Sequence, residues 1–186
     1  RVTTIQKQLA ILSSAIRKST KKITQEFPEF SNLTSPMPIE LAEVQSLLKN
    51  KEALVKYVTT SDGVFVWVVR DEDSFFAKLK INSSELSKLI EQVRASLNTS
   101  NTEVIRTFDF NSAHKLYRSL VKPIKNKLNG IKHLTLVLDG VLRSLPFGIL
   151  ISDKPETKIT ITNQFKNYPK LNWLVREYSL SVIPSV

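Results

Sequence analysis

Few side chains in this sequence could carry acid–base or nucleophilic chemistry. His114 and His133 are the only histidines among 186 residues, and the chain contains no cysteine. An imidazole acts as a general base only when a nucleophile lies within hydrogen-bond reach, and abundant serine does not by itself supply that geometry. We therefore interpret His114 as a residue on the flank of a helix and His133 as one at the entrance of a strand, both partly exposed. A hydrolase that uses either histidine with a serine is the least favoured alternative.

Motifs for binding metals, phosphates or nucleotides are missing from the sequence. Neither histidine has a partner at the spacing of zinc ligands. No Gly-x-Ser-x-Gly elbow is present, and the four glycines, at positions 63, 130, 140 and 148, are too scattered for a phosphate-binding loop. We therefore expect neither a cofactor nor a metal site.

One segment, Asp139 to Phe147, has the character of a functional site. It follows an apolar run that reads as a buried strand, and in open α/β sheets ligand clefts form at the carboxyl ends of strands. On a structural interpretation, Asp139 caps the turn, Gly140 supplies a positive φ and Leu145-Pro146-Phe147 anchors the next segment in the core. On a functional one, the guanidinium of Arg143 grips a carboxylate of a partner or substrate. The sequence leaves both interpretations open.

The elements around this segment begin with three short runs rich in β-branched and aromatic residues. They cover Leu54–Thr60, Val64–Arg70 and Phe75–Ile81, and the residues between them are typical of turns. These runs predict an antiparallel meander. Apolar and polar residues alternate in the third run, which predicts one buried face and one wet face.

Two amphipathic helices are predicted after the meander. Ser83 or Ser84 can cap the first, and Asn111 or Ser112 begins the second. Pro123 lies inside the second helical pattern, where it removes a backbone hydrogen bond and crowds the preceding turn. We therefore expect a kink or a restart at that position.

The remaining elements complete an α/β pattern. Leu134 to Leu138 is almost continuously apolar, as expected of a strand covered on both faces, and a parallel sheet is predicted to begin there. Residues 152–172 are polar and predict a long loop, with a small hairpin around Ile159 to Thr162. Tyr178 to Ile183 is one more strand. The predicted fold is a mixed sheet flanked by helices.

The first 38 residues differ from the rest in pattern. Residues 1–25 predict an amphipathic helix, and residues 27–38, which contain three prolines, predict a linker. The helix has one narrow apolar stripe, made by Val2, Ile5, Leu9, Leu12 and Ile16. We expect the stripe to pack on a neighbouring helix, although its basic flanks also permit an acidic partner or a membrane surface. The predicted division is therefore residues 1–38 and residues 39–186.

Composition limits the partners and the compartment. The net charge of +10 favours acidic proteins, anionic lipid or nucleic acid, but the basic residues are spread along the chain and a solvated basic surface is the simpler interpretation. We interpret Trp67 and Phe75-Phe76 as packing residues rather than a base-stacking platform. No apolar stretch approaches the roughly 20 residues that span a bilayer, and no signal peptide is evident. The absence of cysteine suits a reducing compartment, so cytoplasm is expected.

Three groups of residues together resemble the leading motifs of CHAT domains, a caspase-like family often found after TPR arrays. The groups are Leu116-Tyr117 with Leu120 and Pro123, Asp139-Gly140 with Leu142 and Leu145-Pro146-Phe147, and Arg176-Glu177-Tyr178-Ser179-Leu180-Ser181 to Pro184-Ser185. Their order and spacing both agree with the family, and the resemblance extends over about residues 39–186. It implies a caspase-like α/β fold of which this chain is the front half. The structural motif residues would be Gly140, Leu145, Pro146, Phe147, Tyr178 and Pro184, and the candidate cleft or partner contacts Asp139 and Arg143.

The family also implies a cysteine peptidase in which a histidine takes the proton of a cysteine thiol. Both residues normally lie beyond the strand that ends at Pro184-Ser185. Neither His114 nor His133 stands in the family's His-Gly context, so no catalytic role passes to any residue here. The polar segment 152–172 is longer than the connection usual in the family.

The resemblance favours a noncatalytic scaffold portion of a CHAT-type cysteine peptidase. Its partners would be the remainder of the domain, in the same or a second chain, a TPR-like helical region on residues 1–25, and an acidic protein or a peptide substrate. The alternative is a freestanding CHAT-derived interaction module that binds an acidic protein or nucleic acid through a basic surface. Whether the parent protein is an active peptidase stays open.

Overall fold

The structure is a computed structural model that describes residues 8, 11–16, 18–19, 22, 26, 39–98, 107–156 and 158–184. The chain divides into two compact units, residues 1–41 and 42–186. In the first unit, the described residues up to position 26 are helical, and Leu12 and Ile16 of the predicted stripe are exposed. The predicted linker at 27–38 lies outside the described residues.

The second unit contains a five-stranded mixed sheet in the order β3-β2-β1-β4-β5. The strands are β1 (Glu52–Thr60), β2 (Gly63–Val69), β3 (Ser74–Lys78), β4 (His133–Leu138) and β5 (Ser179–Pro184). The first three pair antiparallel, whereas β4 runs parallel to both β1 and β5. The antiparallel meander and the start of a parallel sheet at β4 are therefore both confirmed, as is the α/β class.

The helices that begin at residue 41 or later are mostly short. They are α1 (Leu41–Leu47), α2 (Ser83–Leu97), α3 (Phe110–Leu120), α4 (Gln164–Asn167) and α5 (Leu174–Glu177). Turns of 3₁₀ helix cover Lys122–Leu128, Gly140–Ser144, Phe147–Ile149 and Tyr168–Lys170. The break after Leu120 and the restart with Pro123 in the first turn confirm the effect predicted for this proline.

One face of the sheet, the inner face, packs on α2 and α3 to form the hydrophobic core. Strand residues on this face include Ala53, Val55, Tyr57, Val66, Val68, Leu134 and Leu136, all buried in one cluster. From α2 the cluster receives Leu86, Leu89, Ile90 and Val93, and from α3 Leu116, Tyr117 and Leu120. These helical residues recur at intervals of three and four, so the predicted apolar stripes are the surfaces that cover the sheet.

The helix caps differ from those predicted. Asn82 caps α2, its side chain accepting a hydrogen bond from the amide of Glu85 at 2.8 Å, and Asp109 caps α3 by accepting from the amide of Ser112 at 3.0 Å. Ser83, one of the two serines predicted as caps, has another partner: its hydroxyl donates to the carbonyl of Thr60. Each helix therefore begins one or two residues earlier than predicted.

Two further predictions were wrong in detail. The third strand ends at Lys78 rather than at position 81, although Leu79 and Ile81 are still buried. The hairpin expected around Ile159 to Thr162 does not form in the described residues. Instead, the side chain of Asn163 accepts a hydrogen bond from the amide of Thr160 and closes a turn that leads into α4.

Candidate functional site

Asp139 lies directly after β4, at the carboxyl end of the parallel strands. Its Oδ2 atom accepts a hydrogen bond from the amide of Thr59, near the end of the neighbouring strand β1, at 3.4 Å. Gly140 follows with a φ of +54°, and a Cβ there would stand 3.7 Å from the side chain of Thr59. A left-handed φ disfavours residues with a side chain, which accounts for glycine at this turn. The carboxylate of Asp139 therefore joins the ends of β1 and β4.

Arg143 lies in the 3₁₀ turn after Gly140. Its Nε donates to the carbonyl of Leu138 at 3.2 Å, and its terminal nitrogen stands 3.9 Å from a carboxylate oxygen of Asp139. The side chain is 60% exposed, so the contact with Asp139 is a weak surface ion pair. Most of the guanidinium remains open to a carboxylate from another molecule.

A groove of about 790 Å³ lies beside this segment. One wall comes from α2, with Ile90 and Arg94, and the other from Val141, Ser144 and Pro146. Asp139 and Arg143 are not among its lining residues. The groove is thus formed by the predicted segment at the predicted edge of the sheet, but with side chains other than those singled out from the sequence.

The rest of the segment holds the turn in the core. Leu142, Leu145 and Phe147 are buried, and the ring of Phe147 packs on that of Tyr57 with centroids 5.4 Å apart. The hydroxyl of Tyr57 donates to the carbonyl of Leu120 at 3.1 Å, and burial raises the pKa of this phenol. These contacts tie the segment to β1 and to the end of α3.

At the opposite end of the parallel strands, His133 opens β4 and Ser179 opens β5. The two residues are partners in the strand register, and the Nδ1 atom of His133 is 2.7 Å from the Oγ atom of Ser179. Which of the two atoms donates depends on the imidazole tautomer. This pair could not be predicted from the sequence, because 46 positions separate the two residues and only the parallel register brings them together.

Glu52, the first residue of β1, completes a row with these two residues. Its Oε1 atom is 3.8 Å from the Nε2 atom of His133 and accepts a hydrogen bond from the hydroxyl of Thr135 at 2.8 Å. The bond from Thr135 lowers the pKa of the Glu52 carboxyl, against a smaller opposing effect of burial; the amide of Lys49 and the charge of His133 lower it further. Sequence reasoning missed Glu52 and Ser179.

The row of serine, imidazole and carboxylate has the composition of a hydrolytic triad, but its hydrogen bonds favour a structural role. Activation of a serine requires its hydroxyl to donate to the imidazole. The hydroxyl of Ser179 also has a second acceptor, the carbonyl of Lys132 at 3.3 Å. When the hydroxyl proton goes to that carbonyl, Oγ accepts from Nδ1 of His133 and is not activated. We therefore interpret the row as a clamp on the first residues of β1, β4 and β5.

His114 has a separate environment on α3. Its Nδ1 atom stands 3.3 Å from the carbonyl of Ile151. Hydrogen bonds from Ser152 and Asn172 lower the pKa of the nearby Asp153 carboxyl, with a smaller contribution from the charge of His114. His114 therefore has partners different from those of His133, and the two histidines do not share a site.

Tyr178 and Lys125 form a further polar contact that the sequence did not indicate. Lys125 donates to the hydroxyl of Tyr178 at 2.9 Å and to the carboxylate of Glu177, and its ammonium lies 4.9 Å from the centre of the Tyr178 ring. Burial lowers the pKa of Lys125 and raises that of Tyr178. The contact fixes the start of β5, whose last residue is Pro184, against the 3₁₀ turn that follows α3.

Within the described residues, histidine and acidic side chains form no group of three that could hold a metal ion. The same part of the chain contains no helix with the length and apolarity needed to cross a membrane.

Part of the chain matches the model of a known family. The family model of the CHAT domain matches residues 111–186, a span that runs from α3 through β4 and the Asp139–Phe147 segment to β5. No curated protein matches the chain. The matched span contains all three groups of residues that carry the resemblance, whereas β1 to β3 and α2 lie before it. Residues 111–186 of this chain are therefore similar to the CHAT domain, a family related to caspase-like peptidases.

Proposed function

We propose that this chain is a noncatalytic scaffold portion of a CHAT-type, caspase-like cysteine peptidase. The catalytic histidine and cysteine would come from polypeptide downstream of Val186 or from a second chain. The family match supports the relationship to peptidases, and the absence of cysteine from the sequence means that residues 1–186 cannot supply the thiolate. A cysteine-free chain also suits our proposal of a cytoplasmic location.

The position of β5 is the observation that carries this proposal. β5 is the last strand in the sheet order and pairs only with β4 among the described strands. Its side chains at Val182 and Ile183 are 62% and 42% exposed. An edge strand with exposed apolar side chains is a template for one more strand. The remainder of a CHAT domain would add its strands at this edge.

The contacts of the two histidines also support a noncatalytic role for this chain. His133 is engaged with Ser179 and faces Glu52, and His114 faces the carbonyl of Ile151. In the first unit, the exposed Leu12 and Ile16 fit our proposal that a TPR-like helical region packs on residues 1–25. Asp139 and Arg143 remain proposed contacts with a partner or a peptide substrate.

Complementation tests the scaffold function. The purified chain should not cleave a fluorogenic peptide library, and it should form a complex with a separately expressed C-terminal CHAT segment that carries a His-Gly element and a cysteine. Native mass spectrometry would detect the complex. Val182→Lys, which places a charge on the exposed edge strand, should weaken it, whereas Val175→Lys, at a similarly exposed position on α5, should not. Turnover by the chain alone, or a complex indifferent to Val182→Lys, contradicts the proposal.

A second candidate function is a freestanding interaction module for an acidic protein or nucleic acid. The observation that favours it is the net charge of +10 together with the open guanidinium of Arg143. Binding measured against salt concentration separates the two partners, since neutralised phosphates make affinity for nucleic acid fall steeply with salt. If the affinity for nucleic acid does not change with salt, the proposal that the module binds nucleic acid is wrong.

A further inference from the structure

The outer face of the sheet, opposite the core, carries a compact group of aromatic and basic side chains. Side chains of directly paired residues point to the same face, and the inner face is the one occupied by Val66 and Val68. Trp67 therefore points outward, with Phe76 of β3 on one side and Lys56 of β1 on the other. In the next row outward-pointing Phe65 lies beside Lys78. These five residues are here called the outer patch.

The aromatic members of the outer patch are more exposed than packing residues usually are. Phe76 is 64% exposed and Trp67 40%. The rings of Phe65 and Phe76 stack with centroids 5.7 Å apart and an angle of 7° between their planes. Their neighbour Val69 is buried but lies outside the core cluster. The patch is thus an ordered aromatic surface that adds nothing to the inner core.

Two lysines give the outer patch its charge. The ammonium of Lys78 lies 5.7 Å from the centre of the Phe65 ring, and Lys56 is paired with Trp67. Glu52 shares this face, but its carboxylate is engaged with Thr135 and the amide of Lys49. Lys78 and Lys56 lie on β3 and β1, on either side of β2. The patch is therefore an apolar strip with a positive charge on each side.

We propose that the outer patch binds an amphipathic α-helix of a partner protein whose apolar stripe is flanked by acidic residues. The strip has the right width: two inter-strand spacings of about 4.8 Å separate β1 from β3, and a helix with its side chains is about 10–12 Å across. A helix lying along β2 places its apolar stripe on Phe65, Trp67 and Phe76. Its flanking carboxylates then meet Lys56 on one side and Lys78 on the other.

The charge pattern favours such a helix over single-stranded nucleic acid. Stacked aromatic rings beside lysines are also a platform for bases. A nucleic-acid strand, however, carries a negative charge at every phosphate. If it lay along β2, its phosphates would approach the acidic side chains of Asp71, Glu72 and Asp73 in the turn that joins β2 to β3. A helix can place carboxylates at two points only, opposite the two lysines. This inference deepens the interaction function proposed above and rests on it.

A pair of designed peptides tests the proposal. The first is an 18-residue fluorescein-labelled helix with leucine at the i, i+3, i+4 and i+7 positions and glutamate on both flanks; the second replaces each glutamate with lysine. Fluorescence anisotropy measures their binding to the full chain and to variants whose circular dichroism and thermal unfolding match the parent. The variants are Phe76→Ser and the pair Lys56→Glu with Lys78→Glu. Matched controls are Phe165→Ser, at an aromatic ring that is 72% exposed on α4, and Lys115→Glu with Lys166→Glu.

The acidic peptide should bind, and Phe76→Ser and the double lysine variant should each weaken it by about tenfold or more. The double lysine variant should then prefer the lysine-flanked peptide, while both controls bind like the parent. If the acidic peptide binds and these variants do not weaken it, the acidic partner binds elsewhere on the chain. That result rejects the outer patch as the binding site but not the interaction function. If instead only an oligothymidine binds, and Phe76→Ser abolishes that binding, the partner of the outer patch is nucleic acid and the proposal of a partner helix is wrong. No binding of either probe rejects the interaction function as well.

Discussion

The Nδ1 atom of His133 lies 2.7 Å from the Oγ atom of Ser179, across the first residues of two parallel strands. Two opposite proton arrangements fit this distance. In one, the serine donates to the imidazole, as a nucleophile does before attack. In the other, the imidazole donates to the serine, whose own proton goes to the carbonyl of Lys132, 3.3 Å away. The second arrangement uses both contacts of the serine hydroxyl, the one to His133 and the one to Lys132.

The tautomer of neutral His133 is therefore predicted to carry its proton on Nδ1. Long-range ¹H–¹⁵N NMR spectra of the imidazole, recorded above the pH at which the ring titrates, distinguish the two nitrogens directly. We expect neither the parent nor Ser179→Ala to hydrolyse ester substrates. Ser181, on the same face of the same strand, has no such partner among the described residues and supplies the matched alanine variant. A proton on Nε2, together with ester hydrolysis lost only in Ser179→Ala, would establish the hydrolase instead.

Acid should weaken the clamp at the start of the parallel strands through Glu52. The hydrogen bond from Thr135 holds the pKa of this carboxyl below 4.5, its ordinary value. A lowered folded-state pKa means that the carboxylate stabilises the fold above about pH 4.5 and that this contribution is lost as pH falls through the folded pKa. Glu52→Gln should therefore be less stable than the parent at pH 7 and approach it in acid.

Urea unfolding at several pH values between 3 and 7 measures this difference. Thr135→Val removes the donor while keeping the carboxylate, and should shift the acid transition of the parent toward that of Glu52→Gln. Asp153→Asn serves as a comparison, because the pKa of Asp153 is also lowered but by Ser152 and Asn172. Its effect should add to that of Glu52→Gln, since the two carboxyls share no partner. A constant gap between parent and Glu52→Gln across this range would contradict the assignment.

Local sequence signals were sufficient for the elements of the fold and insufficient for their partners. Two patterns identified strands correctly. Alternation of apolar and polar residues from position 75 indicated a strand with one buried face, and the continuous apolar run at 134–138 indicated a strand covered on both faces. Pro123 marked a real break because its effect is covalent. The contact of His133 with Ser179 depends on which strands are neighbours, and that order is a property of the whole sheet.

The segment after residue 152 shows a different reason for failure. Its polar composition predicted a loop with a hairpin, but the structure contains α4 and a 3₁₀ turn. Buried Gln164 accepts a hydrogen bond from the hydroxyl of Tyr168 at 2.6 Å, and Tyr168 packs on Phe110 and Trp173. Long-range aromatic packing outweighs weak local preference here, and a single sequence window does not contain it.

Tyr57 should contribute to stability through its hydroxyl as well as its ring. The hydroxyl donates to the carbonyl of Leu120 inside the core, at the last residue of α3. Tyr57→Phe keeps the packing on Phe147 and leaves that carbonyl unsatisfied, so the free energy of unfolding should fall by about 1–2 kcal/mol. Tyr57→Leu loses the ring contact as well and should cost more. Urea unfolding measures both; an unchanged Tyr57→Phe would mean that the carbonyl finds another donor.

Asp139 and Arg143, at the carboxyl end of β4, should differ in how much each contributes to the stability of the fold. Asp139 accepts from the amide of Thr59, so Asp139→Ala should lower the free energy of unfolding by about 1 kcal/mol, whereas Asp139→Asn keeps an accepting oxygen and should lose less. Arg143→Ala removes only an exposed ion pair and one hydrogen bond to the carbonyl of Leu138, so it should lower the free energy of unfolding by only about 0.5 kcal/mol.

Binding to an acidic partner should reverse that ranking. If Arg143 is a partner contact, Arg143→Ala weakens an acidic peptide at this end of the sheet, and Arg143→Lys rescues only part of the loss, because an ammonium cannot bind a carboxylate with two parallel hydrogen bonds. Asp139→Asn should bind as well as the parent or better, since it removes a competing carboxylate 3.9 Å from the guanidinium. Titration calorimetry on the three variants decides the matter: equal affinities would make Arg143 a structural residue like its neighbour.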